Sequence, residues 1–189
     1  MRQAGAVREP LIRLAADCQT ASHSGVRSDR AVGGPLYEIR APKENAMAEH
    51  ATPATCGVDH VGLSVRDLES TRRFFCDCLG WRVVGERPEY PAAFVSDGRQ
   101  IVTLWRVEAP DRAVAFDRRT NVGLHHLALA VADRAGLDAL YERVASWPGV
   151  VVEFAPELSG KGPKIHFIVR EPSGIRIEFA FDPRVERPR

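Results

Sequence analysis

The 189-residue sequence contains an imperfect internal repeat. The segment 59–65 (DHVGLSV) returns at 125–131 (HHLALAV), and an aspartate that opens a helical pattern follows each copy. Self-similarity of this kind predicts one supersecondary unit used twice. Each copy also places a histidine at the same point of a predicted strand, His60 in the first and His126 in the second. The repeat therefore constrains the chain to a duplicated fold with similar residues at matching places.

The first copy is predicted to form a strand, a helix and three further strands. Apolar residues alternate with other residue types over 61–65, which is the period of a strand with two different faces. Asp67 is a good N-cap for the following helix, and Gly80 is a typical helix end. The three later strand patterns cover 81–85, 92–96 and 100–107.

The second copy repeats this order. Alternation over 127–131 predicts the first strand, Asp133 caps the helix, and the Pro148-Gly149 pair ends it. On the last strand Glu178 belongs to the non-apolar set, so it should lie on the same side of the sheet as His126. The three later strand patterns cover 150–154, 164–170 and 175–181.

These patterns predict an α+β fold of two βαβββ modules paired within one chain. Each sheet is expected to pack one face on its own helix and to turn the other face toward a shared metal-binding cleft. The expected domain covers 54–185, with module one at 57–107, a linker at 108–122 and module two at 123–183. Residues 1–53 are rich in Ala, Arg, Ser and Gly, which predicts a poorly ordered N-terminal extension, and Met47 offers an alternative start.

Composition narrows the classes of partner. The formal net charge is +1 and no block of like charge occurs, so neither nucleic acid nor an anionic membrane is expected as a partner. No apolar run approaches the roughly 20 residues of a membrane span. The expected partner is a small-molecule substrate. The N-terminus lacks the pattern of a secretory signal, and the cysteines are interpreted as structural thiols, which favours a cytoplasmic location.

Two histidines and a carboxylate point to a metal site. The repeat brings His60 and His126 to matching strand positions, and Glu178 shares the predicted face of His126. Two imidazoles with one carboxylate bind divalent metals and leave coordination positions open. We therefore predict that His60, His126 and Glu178 bind one divalent metal ion. His125 has the opposite strand parity and is the weaker choice for a ligand.

Other polar residues are expected near this metal site. His166 shares the non-apolar face of its strand and is a predicted acid or base, with a structural role as the alternative. Glu178 is also a possible base. Arg176 lies on the face of Glu178, where it would pair with that carboxylate or hold an anionic substrate. Trp105 is predicted to line the substrate wall, with ordinary packing as the alternative.

The chain resembles the vicinal oxygen chelate superfamily, which includes glyoxalase I, extradiol dioxygenases, fosfomycin-resistance thiol transferases and bleomycin-resistance proteins. The resemblance covers roughly 57–183. It is carried by the segments 59–68 (DHVGLSVRDL), 74–75 (FF), 79–81 (LGW) and 171–178 (EPSGIRIE). A homodimer is the usual expectation for this family.

The resemblance implies four ligand positions, at His60, Thr103, His126 and Glu178. Thr103 stands where glyoxalase I typically has a carboxylate or amide, so we expect it to contact substrate rather than metal. Fosfomycin-resistance enzymes generally have a threonine where this chain has Gly62. Extradiol dioxygenases generally have an acid or base tyrosine ten residues before the glutamate, where this chain has Ile168.

The resemblance thus implies a divalent-metal-dependent enzyme acting on a small substrate with vicinal oxygens, with Fe, Ni, Mn, Co or Zn as the metal. Glyoxalase-like lyase or isomerase chemistry is favoured because the dioxygenase tyrosine is missing. An Fe(II) ring-cleaving dioxygenase is the first alternative. A non-enzymatic ligand-binding protein similar to the bleomycin-resistance proteins is the second.

Overall fold

The computed structural model describes residues 52–187, so the predicted alternative start at Met47 and nearly all of the predicted extension lie outside the described residues. In this part of the chain no helix is both long and apolar enough to cross a membrane. The elements are β1 (His60–Val65), α1 (Leu68–Arg73), a π-helical turn (Phe74–Cys78), β2 (Arg82–Arg87), β3 (Ala92–Ser96), β4 (Ile101–Arg106), a 3-10 turn (Pro110–Arg112), β5 (Leu127–Ala130), α2 (Arg134–Ala145), β6 (Val151–Leu158), β7 (Ile165–Arg170) and β8 (Arg176–Phe181).

The strands form two four-stranded mixed sheets with the orders β1-β4-β3-β2 and β5-β8-β7-β6. In each sheet the first and last strands of the module pair in parallel, and the other neighbours are antiparallel. The predicted order of strand, helix and three strands therefore occurs twice, and the α+β fold class is confirmed.

Each sheet packs one face against its own helical segment. Helix α1 contacts β3 and β4, and α2 contacts β6, β7 and β8. The alternating apolar residues of the sequence supply this face, which confirms the predicted orientation of the strands. Buried residues from both modules belong to a single hydrophobic cluster, which includes Leu63, Val65, Phe74, Phe75, Leu104, Leu137, Val144, Phe167, Ile177 and Phe179.

Both helices begin at the predicted caps. The Asp67 carboxylate accepts hydrogen bonds from the backbone N–H of Ser70 at 3.0 Å and from its hydroxyl at 2.6 Å. Asp133 accepts the N–H of Gly136 at 2.7 Å. Gly80 follows the first helical segment with φ +78°, a conformation that glycine adopts without the strain of a side chain.

Three departures from regular structure were not predicted, and one of them is a register shift between Val83 and Gly85 of β2 against β3. After α1 the helix widens into the π-helical turn, in which the N–H of Leu79 donates to the carbonyl of Phe74, five residues earlier. Strand β6 runs on to Leu158, beyond the predicted end at 154, and its register with β7 shifts between Val152 and Phe154 and again before Glu157. The register shifts of β6 change which of its side chains reach the open face of the second sheet.

A buried carboxylate connects the two modules. Glu171 lies in the turn before β8 and is 1% exposed. Its Oε2 accepts the hydroxyl of Thr71 on α1 at 2.7 Å. Its Oε1 accepts the backbone N–H of Ser173 at 2.9 Å and that of Ile175 at 3.0 Å. Every oxygen of this buried group thus has a partner, as a buried carboxylate requires.

The neighbouring Ser173 reinforces the connection. Its hydroxyl oxygen accepts the backbone N–H groups of Arg66 at 3.2 Å and Asp67 at 3.1 Å, at the start of the first helix. It also lies 2.9 Å from the Thr71 hydroxyl. Burial raises the pKa of Glu171, although the hydrogen bonds from Thr71 and the two backbone N–H groups oppose that rise.

We expect Glu171→Gln to flatten the pH dependence of the free energy of unfolding. Since the folded pKa lies above the ordinary 4.5, the stabilisation from this carboxyl is complete below pH 4.5 and is lost as pH rises through the folded pKa. The amide keeps the acceptor for both N–H groups, donates to Thr71 and does not ionise. Urea unfolding at a series of pH values from about 4 to 8 measures the effect.

Two further variants make this test specific. Glu157→Gln removes an exposed carboxylate on β6 and should keep the wild-type pH dependence. Glu171→Ala leaves the N–H groups of Ser173 and Ile175 without their acceptor and should cost about 1–3 kcal/mol. A pH dependence in Glu171→Gln equal to that of the wild type would contradict the assignment.

Candidate metal site

The second sheet presents a polar open face on the side opposite its helix. In β8 the side chains of Ile177 and Phe179 enter the core, so alternation sends Arg176 and Glu178 to the open face. The parallel register of β5 and β8 pairs Ala128 with Glu178. His126 lies two residues before Ala128 and therefore reaches the same side, as predicted.

Three nitrogen groups converge on the Glu178 carboxylate, whose side chain is 6% exposed. His126 Nε2 lies 3.1 Å from Oε2. Lys164 Nζ lies 2.8 Å from Oε1, and His166 Nδ1 lies 3.1 Å from the same oxygen. Burial raises the pKa of Glu178, but the hydrogen bonds and positive charges of Lys164 and His166 outweigh burial and lower it overall.

Sequence reasoning placed His166 on this face but missed Lys164. Lys164 precedes His166 by two residues, so strand alternation was the signal that would have put it on the same side. His166 is largely enclosed, with 15% of its side chain exposed. Its ring lies 5.1 Å from that of Phe154, which reaches this face beside the first register shift of β6. The ring is therefore held firmly beside the carboxylate.

Arg176 forms its ion pair with Glu153 and not with Glu178, which was the predicted partner. Its Nε and Nη2 lie 3.0 and 2.8 Å from Glu153 Oε2, and its Nη1 donates to the His125 carbonyl at 3.0 Å. Arg170 Nε donates to the same carboxylate at 2.8 Å. The hydrogen bond from Arg176, with that from Arg170, overcomes the effect of burial and lowers the pKa of Glu153 to about 2. The sequence did not predict Glu153 as a partner of Arg176. A role for Arg176 in substrate binding remains a prediction.

The structure does not bring His60 to Glu178. His60 begins β1 in the first sheet, with 52% of its side chain exposed and its Nδ1 2.7 Å from the carboxylate of Asp59. Among residues 52–187 no group of three or more His, Cys, Asp or Glu side chains could hold a metal ion. Of the predicted triad, His126 and Glu178 contact each other within the described residues. A metal site that includes His60 as well remains a prediction.

The open face of the first sheet is aromatic rather than charged. Trp105 Nε1 donates to Thr103 Oγ1 at 2.9 Å, and Thr103 is 6% exposed. The ring of Trp105 lies 5.3 Å from that of Tyr90 and 5.7 Å from that of Phe94. Gly62 pairs with Thr103 in the register, and the Thr103 hydroxyl and the Trp105 ring lie against it. Two of the three predicted substrate contacts, Thr103 and Trp105, therefore lie on one surface, whereas Arg176 belongs to the second sheet.

The donor types around Glu178 fit a divalent metal. Imidazole nitrogen and carboxylate oxygen suit Zn, Fe, Ni, Co and Mn ions, and His126 and Glu178 offer one of each. Lys164 is the exception, because its ammonium lies 2.8 Å from Glu178 Oε1 and would repel a cation bound by this carboxylate. A full ligand set requires a donor from beyond this cluster.

Similar proteins include two enzymes. The catechol-2,3-dioxygenase of Bacillus subtilis (strain 168) is 28% identical over 88 residues, which are 45% of this chain and 30% of the dioxygenase. The chain thus matches less than a third of that relative's length. The 2-epi-5-epi-valiolone epimerase of Actinomyces sp is 29% identical over 136 residues, which are 62% of this chain and 73% of the epimerase.

Comparison with solved structures and with a family model gives the same classification. A glyoxylase/bleomycin resistance protein/dioxygenase domain from Frankia sp. EAN1pec is 27% identical with a TM-score of 0.55, and the match covers 68% of this chain and 93% of that one. The model of the Glyoxalase/Bleomycin resistance protein/Dioxygenase superfamily matches residues 57–179, from before β1 into β8. The chain therefore belongs to the Glyoxalase/Bleomycin resistance protein/Dioxygenase superfamily, as its repeated motifs predicted.

Proposed function

We propose that this protein is a divalent-metal-dependent lyase or isomerase that moves a proton between neighbouring carbons of a small substrate with two adjacent oxygens. The observation that carries the proposal is the convergence of His126 and His166 on the Glu178 carboxylate. Such a cluster combines metal-binding groups with a group that accepts and returns a proton.

In this proposal the metal is bound by His126 and Glu178 of one chain and by His60 of a second copy. The reason is that His60 belongs to the first sheet and joins no metal-binding group within one described chain. A homodimer would supply the missing imidazole by symmetry. The dimer is thus a requirement of the proposed site.

The bound metal would act as a Lewis acid toward the substrate oxygens. His166 would take a proton from the substrate carbon and return it to the neighbouring one, since its ring is fixed between Phe154 and Glu178. Glu178 would hold the imidazole in orientation through the 3.1 Å contact to Nδ1. Thr103 and Trp105 would contact the substrate from the first sheet.

Two comparisons favour isomerase or lyase chemistry over ring cleavage. The match to the epimerase covers 73% of that enzyme, whereas the match to the dioxygenase covers 30%. Ile168 stands where extradiol dioxygenases generally have their tyrosine. The register of β7 and β8 places Ile168 directly opposite Glu178, and it is 4% exposed, so this position offers no hydroxyl for acid or base chemistry.

An Fe(II) ring-cleaving dioxygenase is the second proposal, and the local match to catechol-2,3-dioxygenase is its support. The same metal-binding groups would serve it. The two proposals differ in their use of oxygen, since ring cleavage consumes O₂ and proton transfer does not.

We expect the native protein to convert a hemithioacetal and to leave catechol unchanged, with equal rates under air and under argon. Elemental analysis of the same preparation should give a stoichiometric first-row metal. The matched variant His166→Gln should retain this metal and lose turnover, because it removes the proposed proton carrier. Oxygen uptake with catechol would reverse the order of the two proposals. Metal-free protein that does not bind added Mn²⁺, Zn²⁺ or Ni²⁺ would refute both.

Loss of either proposed ligand should weaken metal binding. We expect His126→Ala and Glu178→Gln to lower the affinity for Zn²⁺ by more than about ten-fold, since changes even to outer-shell groups cost 10–100-fold. Glu142→Gln removes an exposed carboxylate of α2, on the other side of the sheet, and should keep the wild-type affinity. Isothermal titration of metal-free protein measures the difference. Equal affinities in Glu178→Gln and Glu142→Gln would exclude Glu178 as a ligand.

Mixing of two inactive variants tests whether the site is shared between chains. His60→Ala and His126→Ala should each bind metal poorly alone. After co-refolding in equal amounts, about a quarter of the sites should be restored, because half of the dimers are mixed and each has one intact site. Sites formed within single chains would give no recovery. The metal content of the purified mixture, normalised to protein, decides between these outcomes.

A further inference from the structure

Lys164 places a positive charge on the carboxylate at the centre of the second sheet's open face. Its Nζ lies 2.8 Å from Glu178 Oε1, and a third of its side chain is exposed, against 6% for Glu178. Lysine carries three donors and no acceptor, so the ammonium cannot act as a metal ligand while it is charged. The contact is therefore an ion pair that a bound metal would have to replace or share.

The two oxygens of Glu178 are fully engaged. Oε1 is contacted by Lys164 and His166, and Oε2 by His126. His126 can bind a cation through a deprotonated ring nitrogen, whereas the ammonium of Lys164 has no lone pair and repels a cation. Of the three partners, Lys164 is the one that opposes metal binding electrostatically.

The Lys164 side chain has room to turn from the Glu178 carboxylate toward solvent. The connection from β6 to β7 is closed by a 2.8 Å hydrogen bond from the N–H of Ser159 to the carbonyl of Lys164, and Gly160 makes the turn with φ +69°. The backbone of Lys164 is thus anchored at the start of β7. The ammonium sits on a flexible four-carbon stem that reaches solvent.

We infer that Lys164 is a built-in counter-ion of Glu178 that competes with the divalent metal and thereby sets the affinity of the site. This role rests on the proposed metal-dependent function. Without metal, Lys164 gives a nearly buried carboxylate a partner whose positive charge does not depend on the protonation of a histidine. With a metal bound, the ammonium would be repelled, and its flexible stem would let it turn toward solvent. Lys164 is a positioning residue in this scheme and has no step of the reaction.

The test is titration of Mn²⁺ and Zn²⁺ into metal-free full-length protein, with the wild type and three variants. Lys164→Met removes the charge while keeping an unbranched chain, and should bind both ions at least about ten-fold more tightly, because one repulsive unit charge has gone. Lys164→Arg retains a cation and should remain close to wild type. Lys161→Met removes an exposed lysine from the same connection and should leave affinity unchanged.

The outcomes separate this inference from the proposed function. Tighter binding by Lys164→Met alone supports it, since a residue with a merely structural role would weaken metal binding when removed. Equal or weaker binding by Lys164→Met, with wild-type metal binding intact, overturns the inference and leaves the proposed function standing. No binding by any of the four proteins overturns both. Should Lys164→Met melt below the titration temperature, Lys164→Gln gives the same comparison.

Discussion

In each module the last strand returns to lie parallel to the first, β4 beside β1 and β8 beside β5. This pairing brings residues from the two ends of a module into direct register, so that Ala128 faces Glu178 although 50 residues separate them along the chain. With the apolar alternate positions committed to the helix side, the remaining positions of both strands must share the open face. The meeting of His126 with Glu178 follows from this one constraint.

Much of the fold could be predicted because the sequence patterns are local and repeated. The aspartate caps, the helix-ending Gly80 and the alternating apolar residues each determine a short stretch without help from distant groups. The π-helical turn at Phe74–Cys78 and the register shifts of β6 could not be read in this way. They depend on how consecutive large side chains and neighbouring strands pack, which no local pattern records.

The candidate site shows the same division. Parity placed Glu178 and His166 correctly beside His126, and the same rule would have added Lys164. The ion-pair partner of Arg176 could not be predicted. Arg176 on β8 contacts Glu153 on β6, and the register of β6 with β7 is irregular. Nor does strand parity say how far the first sheet lies from the second. His60 and His126 therefore looked equivalent in the sequence, while the structure places His126 beside Glu178 and His60 beside Asp59.

The two copies have diverged in the turn before their last strand. In the first module Asp97 is exposed and accepts the backbone N–H groups of Arg99 and Gln100, both in its own turn. In the second module Glu171 reaches out of its turn to Thr71 on the other module's helix. A half expressed by itself would hold Glu171 without its Thr71 donor. The acid would then lose one of its three hydrogen bonds, so the boundary between the halves is not a neutral place to divide the polypeptide.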